Sequence, residues 1–156
     1  MTASPAIIDA IMTIMERAFD PAYGEAWNRR QVSDALSLSN THSLVIDSGG
    51  KPFVPGARSD AAGFVLTRQG ADEEELLLIA VDPRWRERGL GKSLISQLFA
   101  LSRARGTSRI FLEMRRGNPA EHLYRRTGFE PIGSRPNYYR MSSGERIDAI
   151  TFGCSI

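Results

Sequence analysis

At 156 residues the chain fits one domain, spanning residues 1–156, and can bury roughly 70% of the surface its unfolded form exposes. Apolar residues make up 42% and the net charge is +2, too mild a balance to bind nucleic acid by field alone. No segment approaches the ~20 apolar residues of a membrane span, and the N-terminus lacks a signal-peptide core. The lone cysteine, Cys154, excludes an internal disulfide, and His42 and His122 lack a spaced partner, so no metal site is expected. A reduced cytoplasmic setting is the expectation.

Ser4-Pro5 opens a helix, with serine as N-cap and proline in the first turn. Ile7, Ile8, Ile11, Ile14, Met15, Ala18 and Phe19 continue it as a stripe that stops at Asp20-Pro21. A second helix is expected from about residue 28 to 39, then a short strand over 44–46 and a turn over 48–52. Residues 62–67 and 74–81 read as antiparallel neighbours, and the acidic run 72–75 as a solvated tip between them. A helix follows over 91–105 and ends at Gly106. Residues 109–114 form the next strand, and Asn118-Pro119 opens a short helix that ends at Thr127-Gly128. Residues 129–133 and 147–152 supply the last strands. Helices interleaved with a mixed sheet make the fold class α/β (α+β).

The run Arg86-Glu87-Arg88-Gly89-Leu90-Gly91-Lys92 lies between the apolar strand and the helix that carries Leu94, Ile95, Leu98 and Phe99. Strand, glycine turn and helix aim free backbone N–H groups and a positive helix end at an anion. Gly89 and Gly91 let that backbone approach a phosphate closely. The run is not a Walker A loop, since the upstream glycine is missing, and not a dinucleotide fingerprint, since position 94 is not glycine. It points to a phosphate-bearing cofactor.

Arg-x-x-Gly-x-Gly at 86–91 resembles the pyrophosphate arm of the GNAT superfamily of N-acetyltransferases. Residues 112–129 are similar to a second family signature: Leu112-Glu113-x-Arg115, Asn118, Leu123-Tyr124 and Gly128-Phe129. Asn137-Tyr138-Tyr139 and Asp148-Ala149-Ile150 resemble the bacterial RimI branch, the ribosomal-protein-alanine N-acetyltransferases. The resemblance covers residues 20–152. It implies a twisted, mostly antiparallel sheet whose central parallel strands splay apart to admit acetyl-CoA. Because the chain opens on a helix, the family's first strand is expected to be missing or very short.

The resemblance also implies roles. Glu113 is the expected general base, acting directly or through a water, and Tyr124 the acid that protonates the departing thiolate. A protein α-amine, with a reference pKa of ~7.7–8.0, asks less of that base than a lysine near ~10.4. The Ile79 and Val81 backbone is expected to polarise the thioester carbonyl. Arg86, Arg88, Gly89, Leu90, Gly91 and Lys92 hold the pyrophosphate, with Arg84 near the phosphates and Asn118 on the pantetheine arm. A bulky residue at 91 is expected to block the cofactor and leave the fold mostly intact. Trp27, Tyr138 and Tyr139 face the acceptor. The implied partners are acetyl-CoA and a protein N-terminus, with no membrane and no nucleic acid required, in a monomer or homodimer. A small-molecule amine acetyltransferase and a non-catalytic acyl-CoA-binding module remain the alternatives.

Overall fold

Ser4 Oγ accepts the Ile7 N–H at 3.3 Å and Pro5 fills the first turn, so helix α1 runs Pro5–Ala18. Its inner face carries Ile8, Ile11, Ile14 and Met15, all buried. A capping box opens α2 (Arg29–Leu36): Asn28 Oδ1 accepts the Gln31 N–H at 2.9 Å, and Gln31 Oε1 accepts the Asn28 N–H at 2.8 Å. The helix stops at Leu36, short of the expected residue 39, because Ser37 Oγ donates back to the Asp34 carbonyl at 2.6 Å and the chain turns.

The computed structural model describes residues 3–156, and Met1 and Thr2 lie outside the described residues. Six strands form one sheet: β1 (Thr41–Asp47), β2 (Ala61–Gly70), β3 (Glu73–Val81), β4 (Arg109–Arg115), β5 (Glu130–Arg140) and β6 (Arg146–Ser155). Their order is β1-β2-β3-β4-β6-β5, antiparallel everywhere except between β3 and β4. Helices α3 (Leu90–Ala104) and α4 (Glu121–Arg126) complete the chain order. Among the described residues no strand precedes α1. No helix there is long and apolar enough to cross a membrane.

The sheet is covered on both faces. One core joins Ile11, Ile14 and Val32 of α1 and α2 to Phe64, Leu66 and Leu78. The other joins Leu94, Ile95 and Leu98 of α3 to Val65, Ile110, Leu112 and Phe152, with Tyr124 and Phe129 from the α4 region. Burial of these side chains, each worth about 1.5–3 kcal/mol, is the main force holding helices to sheet.

Two features open the sheet at its centre. β3 and β4 share only three register pairs, Glu73 with Arg109, Glu74 with Ile110 and Glu75 with Phe111. Just beyond, β3 pairs Leu76 with Thr67 and Leu78 with Leu66, which leaves Leu77 as an extra residue. Such a bulge bends and twists the strand, and here it steers β3 away from β4.

The closed end of that wedge corrects the reading of residues 72–75 as a solvated tip. Glu74 is fully buried. Arg105 donates to it through Nε at 3.0 Å and through a terminal nitrogen at 2.9 Å, and Thr107 Oγ1 donates at 2.7 Å. Burial alone would raise the carboxyl pKa, but these donors hold it below its ordinary value. Glu74 thus ties the start of β3 to the end of α3 where the strands part.

Three further strand or helix limits differ from expectation. β1 extends over Thr41–Asp47, not 44–46, because β2 pairs it along its whole length. β5 runs on to Arg140, past the expected 133, so Asn137, Tyr138 and Tyr139 belong to a strand. Its side chains are almost all exposed, and backbone pairing with β6 holds it in place. α4 starts at Glu121, since Asn118 Oδ1 accepts the Ala120 N–H at 2.9 Å and makes a side-chain turn instead of a helix cap.

Candidate active site

Beyond Glu75 the parted strands leave a cleft of about 820 Å³, bounded by residues 76–81 of β3 and 112–115 of β4. Gly91 of α3 and Leu123 and Tyr124 of α4 close one side, and the α1–α2 connection supplies the other wall. The edge of β3 that turns toward β4 has no strand partner past Glu75, so its backbone, Ile79 and Val81 included, faces the cleft.

At one end of the cleft lies the glycine turn. Ser93 N–H makes the first intrahelical bond of α3, to the Gly89 carbonyl at 3.0 Å, which leaves the N–H groups of Leu90, Gly91 and Lys92 without helical acceptors. Gly89 caps the helix at φ 75°, and Glu87 takes the same left-handed conformation at φ 62°. Only glycine adopts it freely, so Glu87 is a strained point in a turn that concentrates backbone donors. Leu90 contributes backbone alone, its side chain being buried in the core.

The basic residues of this turn separate into distinct positions. Arg86 lines the cleft and donates to the Ala18 carbonyl at 3.2 Å. The Arg88 guanidinium lies 5.1 Å from the Trp85 ring centroid, and Lys92 is exposed at the helix start; neither lines the cleft. Arg84 is engaged by Asp82, which accepts from its backbone N–H at 3.0 Å, its Nε at 3.3 Å and a terminal nitrogen at 3.2 Å. Arg17 of α1 donates to the same carboxylate at 3.0 Å. This fully buried aspartate was missed in the sequence, where Asp82-Pro83 reads only as a strand end.

Glu113 and Tyr124 both line the cleft from the β4–α4 side. Glu113 is partly exposed and pairs with Arg135 of β5 at 3.1 Å. Tyr124 is buried, edge-on to Phe129 with ring centroids 5.7 Å apart. Burial, helped by the Glu25 charge, raises its pKa far above the ordinary phenol value, so the hydroxyl keeps its proton. Asn118 joins them on the cleft wall with its Oδ1 engaged by Ala120 and its amide group left as a donor.

Of the three acceptor-side aromatics, Trp27 and Tyr139 line the cleft and Tyr138 does not. The reason is a bulge in β5. Arg135 pairs with Ala149 and Tyr139 with Ile147, so residues 136–138 stand opposite Asp148 alone. Asp148 Oδ1 accepts the Asn137 N–H at 2.9 Å, its other oxygen lies 3.5 Å from Arg116 Nε, and Asn137 adopts φ 54°. The bulge sends Tyr139 inward and leaves Tyr138 outside, packed edge-on against it at 5.2 Å. Burial and the Glu113 and Glu25 charges push the Tyr139 hydroxyl up to about 12. The same cleft is lined by Tyr23 and Glu25, which the sequence did not single out, and by Arg115, named there only within the Leu112-Glu113-x-Arg115 signature.

Gly91 does more than admit a ligand. A Cβ built there would lie 2.9 Å from Leu123 Cδ2 of α4. A larger residue at 91 therefore presses first on the Leu123 side chain of α4, the helix that carries Tyr124. Gly91→Trp should lower stability by about 1–3 kcal/mol as well as abolish ligand binding. Urea denaturation checks this, and a wild-type midpoint would mean that α4 yields freely.

Comparison with known proteins agrees with this geometry. The model of the Acetyltransferase (GNAT) family matches residues 8–129. The ribosomal protein bS18-alanine N-acetyltransferase of Haemophilus influenzae is 35% identical over 92 residues, 59% of this chain and 63% of the relative. Its Escherichia coli counterpart is 38% identical over 96 residues, 61% and 64% of the two chains. These matches span less than two thirds of the relatives' own length. The crystal structure of the Escherichia coli S18-alanine enzyme superposes with a TM-score of 0.79 at 27% identity, covering 100% of this chain and 92% of that one. With the splayed parallel pair, the bulged β3 and the glycine turn at the head of α3 all present, the chain belongs to the GNAT acetyltransferase family.

Proposed function

We propose that this single-domain protein transfers the acetyl group of acetyl-CoA to the N-terminal α-amine of a protein, with an alanine-starting ribosomal protein as the first candidate acceptor. The observation that carries this reading is the meeting of Glu113 and Tyr124 in one cleft whose far end is the N-terminus of α3. Backbone donors of residues 88–91 and Arg86 suit a pyrophosphate, and the open edge of β3 suits a pantetheine arm and a thioester carbonyl.

In the reaction the amine nitrogen forms a bond to the thioester carbon and the carbon–sulfur bond breaks. Glu113 takes the proton from the attacking amine, directly or through a water, and Tyr124 gives one to the departing thiolate. Arg135 pairs with one Glu113 oxygen at 3.1 Å and leaves the other for that proton. The names of the relatives indicate the alanine acceptor, and the half-buried aromatic cleft with Trp27 and Tyr139 accommodates a short, uncharged first side chain.

The deciding experiment follows thiol release from acetyl-CoA with two peptides of one sequence. One has a free N-terminal alanine and no lysine; the other has a blocked N-terminus and an internal lysine. Turnover on the first alone is the expected result. Turnover on the second alone, or on neither, overturns the reading.

A further inference from the structure

The cleft contains a charged stack that acetyl transfer as described leaves unused. Tyr23, Glu25 and Arg115 line its acceptor wall together. The Arg115 guanidinium sits 3.5 Å from the Tyr23 ring centroid and donates through Nε to Glu25 Oε1 at 3.3 Å. Both charged side chains are largely covered, at 11% and 21% exposure.

A guanidinium carries five N–H donors, and the bond to Glu25 uses one. No other hydrogen bond of the Arg115 side chain, and none to Glu25 Oε2, exists among the described residues. The remaining donors of Arg115 and the free Glu25 oxygen keep access to the cleft, where water or a ligand completes them. Stacking on Tyr23 and the Nε bond to Glu25 fix the plane of the fork, so its terminal nitrogens are held in place. The wall thus offers cationic donors and an anionic acceptor side by side, and both belong to the cleft that also holds Glu113 and Tyr139.

The matching ligand carries a cationic donor and a neutral acceptor a few bonds apart. The first residue of a polypeptide has this pattern, with its ammonium group two bonds from its own carbonyl carbon. We propose that Glu25 and Arg115 read the α-amino-carbonyl unit of the acceptor's first residue, Glu25 Oε2 receiving the ammonium and the Arg115 fork the first peptide carbonyl. The pair binds and orients; removal of the proton stays with Glu113. A lysine side chain or an alkylamine presents the ammonium without the carbonyl and satisfies only half of the pair. This rests on the N-terminal acetyltransferase reading and adds the means by which the α-amine is chosen.

The test compares an alanine-starting, lysine-free peptide with its isostere in which an (E)-alkene replaces the first amide. Wild type should prefer the amide by about ten- to hundredfold in kcat/KM, mainly through KM, the range for a hydrogen bond to a charged group. Arg115→Met should lose that preference while Kd for acetyl-CoA stays at the wild-type value. Arg115→Lys should restore part of it, since an ammonium supplies donors without the planar fork. Glu25→Gln should raise KM for both peptides alike. Equal use of the two peptides by wild type, or a preference that survives Arg115→Met, overturns the inference and leaves the proposed reaction standing. If Arg115→Met fails to bind acetyl-CoA, the wild-type comparison and Glu25→Gln decide. No turnover of the amide peptide by wild type overturns the reaction itself, and the inference with it.

Discussion

Glu113→Gln should lower kcat on an N-terminal peptide by about two to four orders of magnitude and leave Kd for acetyl-CoA unchanged, as removal of a general base does. The substitution keeps the shape of the side chain at the cleft wall, where Glu113 is partly exposed and paired with Arg135 at 3.1 Å. The neutral amide cannot accept the amine's proton, and Arg135, being half-exposed, can turn to solvent, so little stability is lost. Tyr124→Phe should give a similar loss for a different reason. Its ring is fixed between Phe129 and Phe152, at 5.7 and 6.3 Å, and phenylalanine keeps that packing. Only the hydroxyl proposed to protonate the thiolate goes. Raised by burial, its pKa keeps it a donor across the working pH range, so the alkaline limb of the wild-type profile should not report Tyr124. Pre-steady-state acetyl transfer separates the two variants from a defect in product release. A Glu113→Gln variant with wild-type kcat would mean that the carboxylate only anchors Arg135.

What was legible in the sequence was local. Ser4-Pro5, the Asn28 cap and Gly106 fix helix ends through bonds to residues two to five positions away, so the chain itself displays them. The glycine turn was legible for the same reason: its donors come from one short segment entering α3. Features assembled across the sheet were not. Glu113 meets Arg135 and Arg115 meets Glu25, partners 22 and 90 positions apart. Glu74 looked like one of four surface acids because nothing nearby in sequence reveals that Arg105 and Thr107 bury it. β5 escaped its full length because its exposed side chains carry no alternation, and its bulge, which decides between Tyr138 and Tyr139, depends on Asp148 of the neighbouring strand.

Asp82→Asn should destabilise the protein by about 2–4 kcal/mol and weaken acetyl-CoA binding about tenfold, because one buried carboxylate joins three elements. It ends β3, accepts from Arg84 at the start of the glycine turn, and holds Arg17 at the last turn of α1. Its side chain is 1% exposed, while Arg17 and Arg84 are 46% and 52% exposed. Those arginines can rehydrate when the charge is lost, so the cost falls mainly on the loosened turn and on the weaker hydrogen bonds of a neutral amide. Burial alone would raise the Asp82 pKa, but the Arg84 backbone and side chain and then Arg17 hold it below its ordinary 3.8. A depressed carboxyl contributes stability that is complete above the unfolded value and disappears as pH falls through the folded one. The stability gap between wild type and Asp82→Asn should therefore be widest near neutral pH and shrink once pH drops below about 4. Urea melts of both proteins at several pH values measure that gap, and isothermal titration with acetyl-CoA measures the affinity. A gap that stays constant into acid would remove Asp82 from any charge-dependent role. A narrowing gap with unchanged affinity would confine it to the join between α1 and β3. Narrowing together with weaker binding is the outcome expected of a carboxylate that holds the anion-binding turn against the body of the fold.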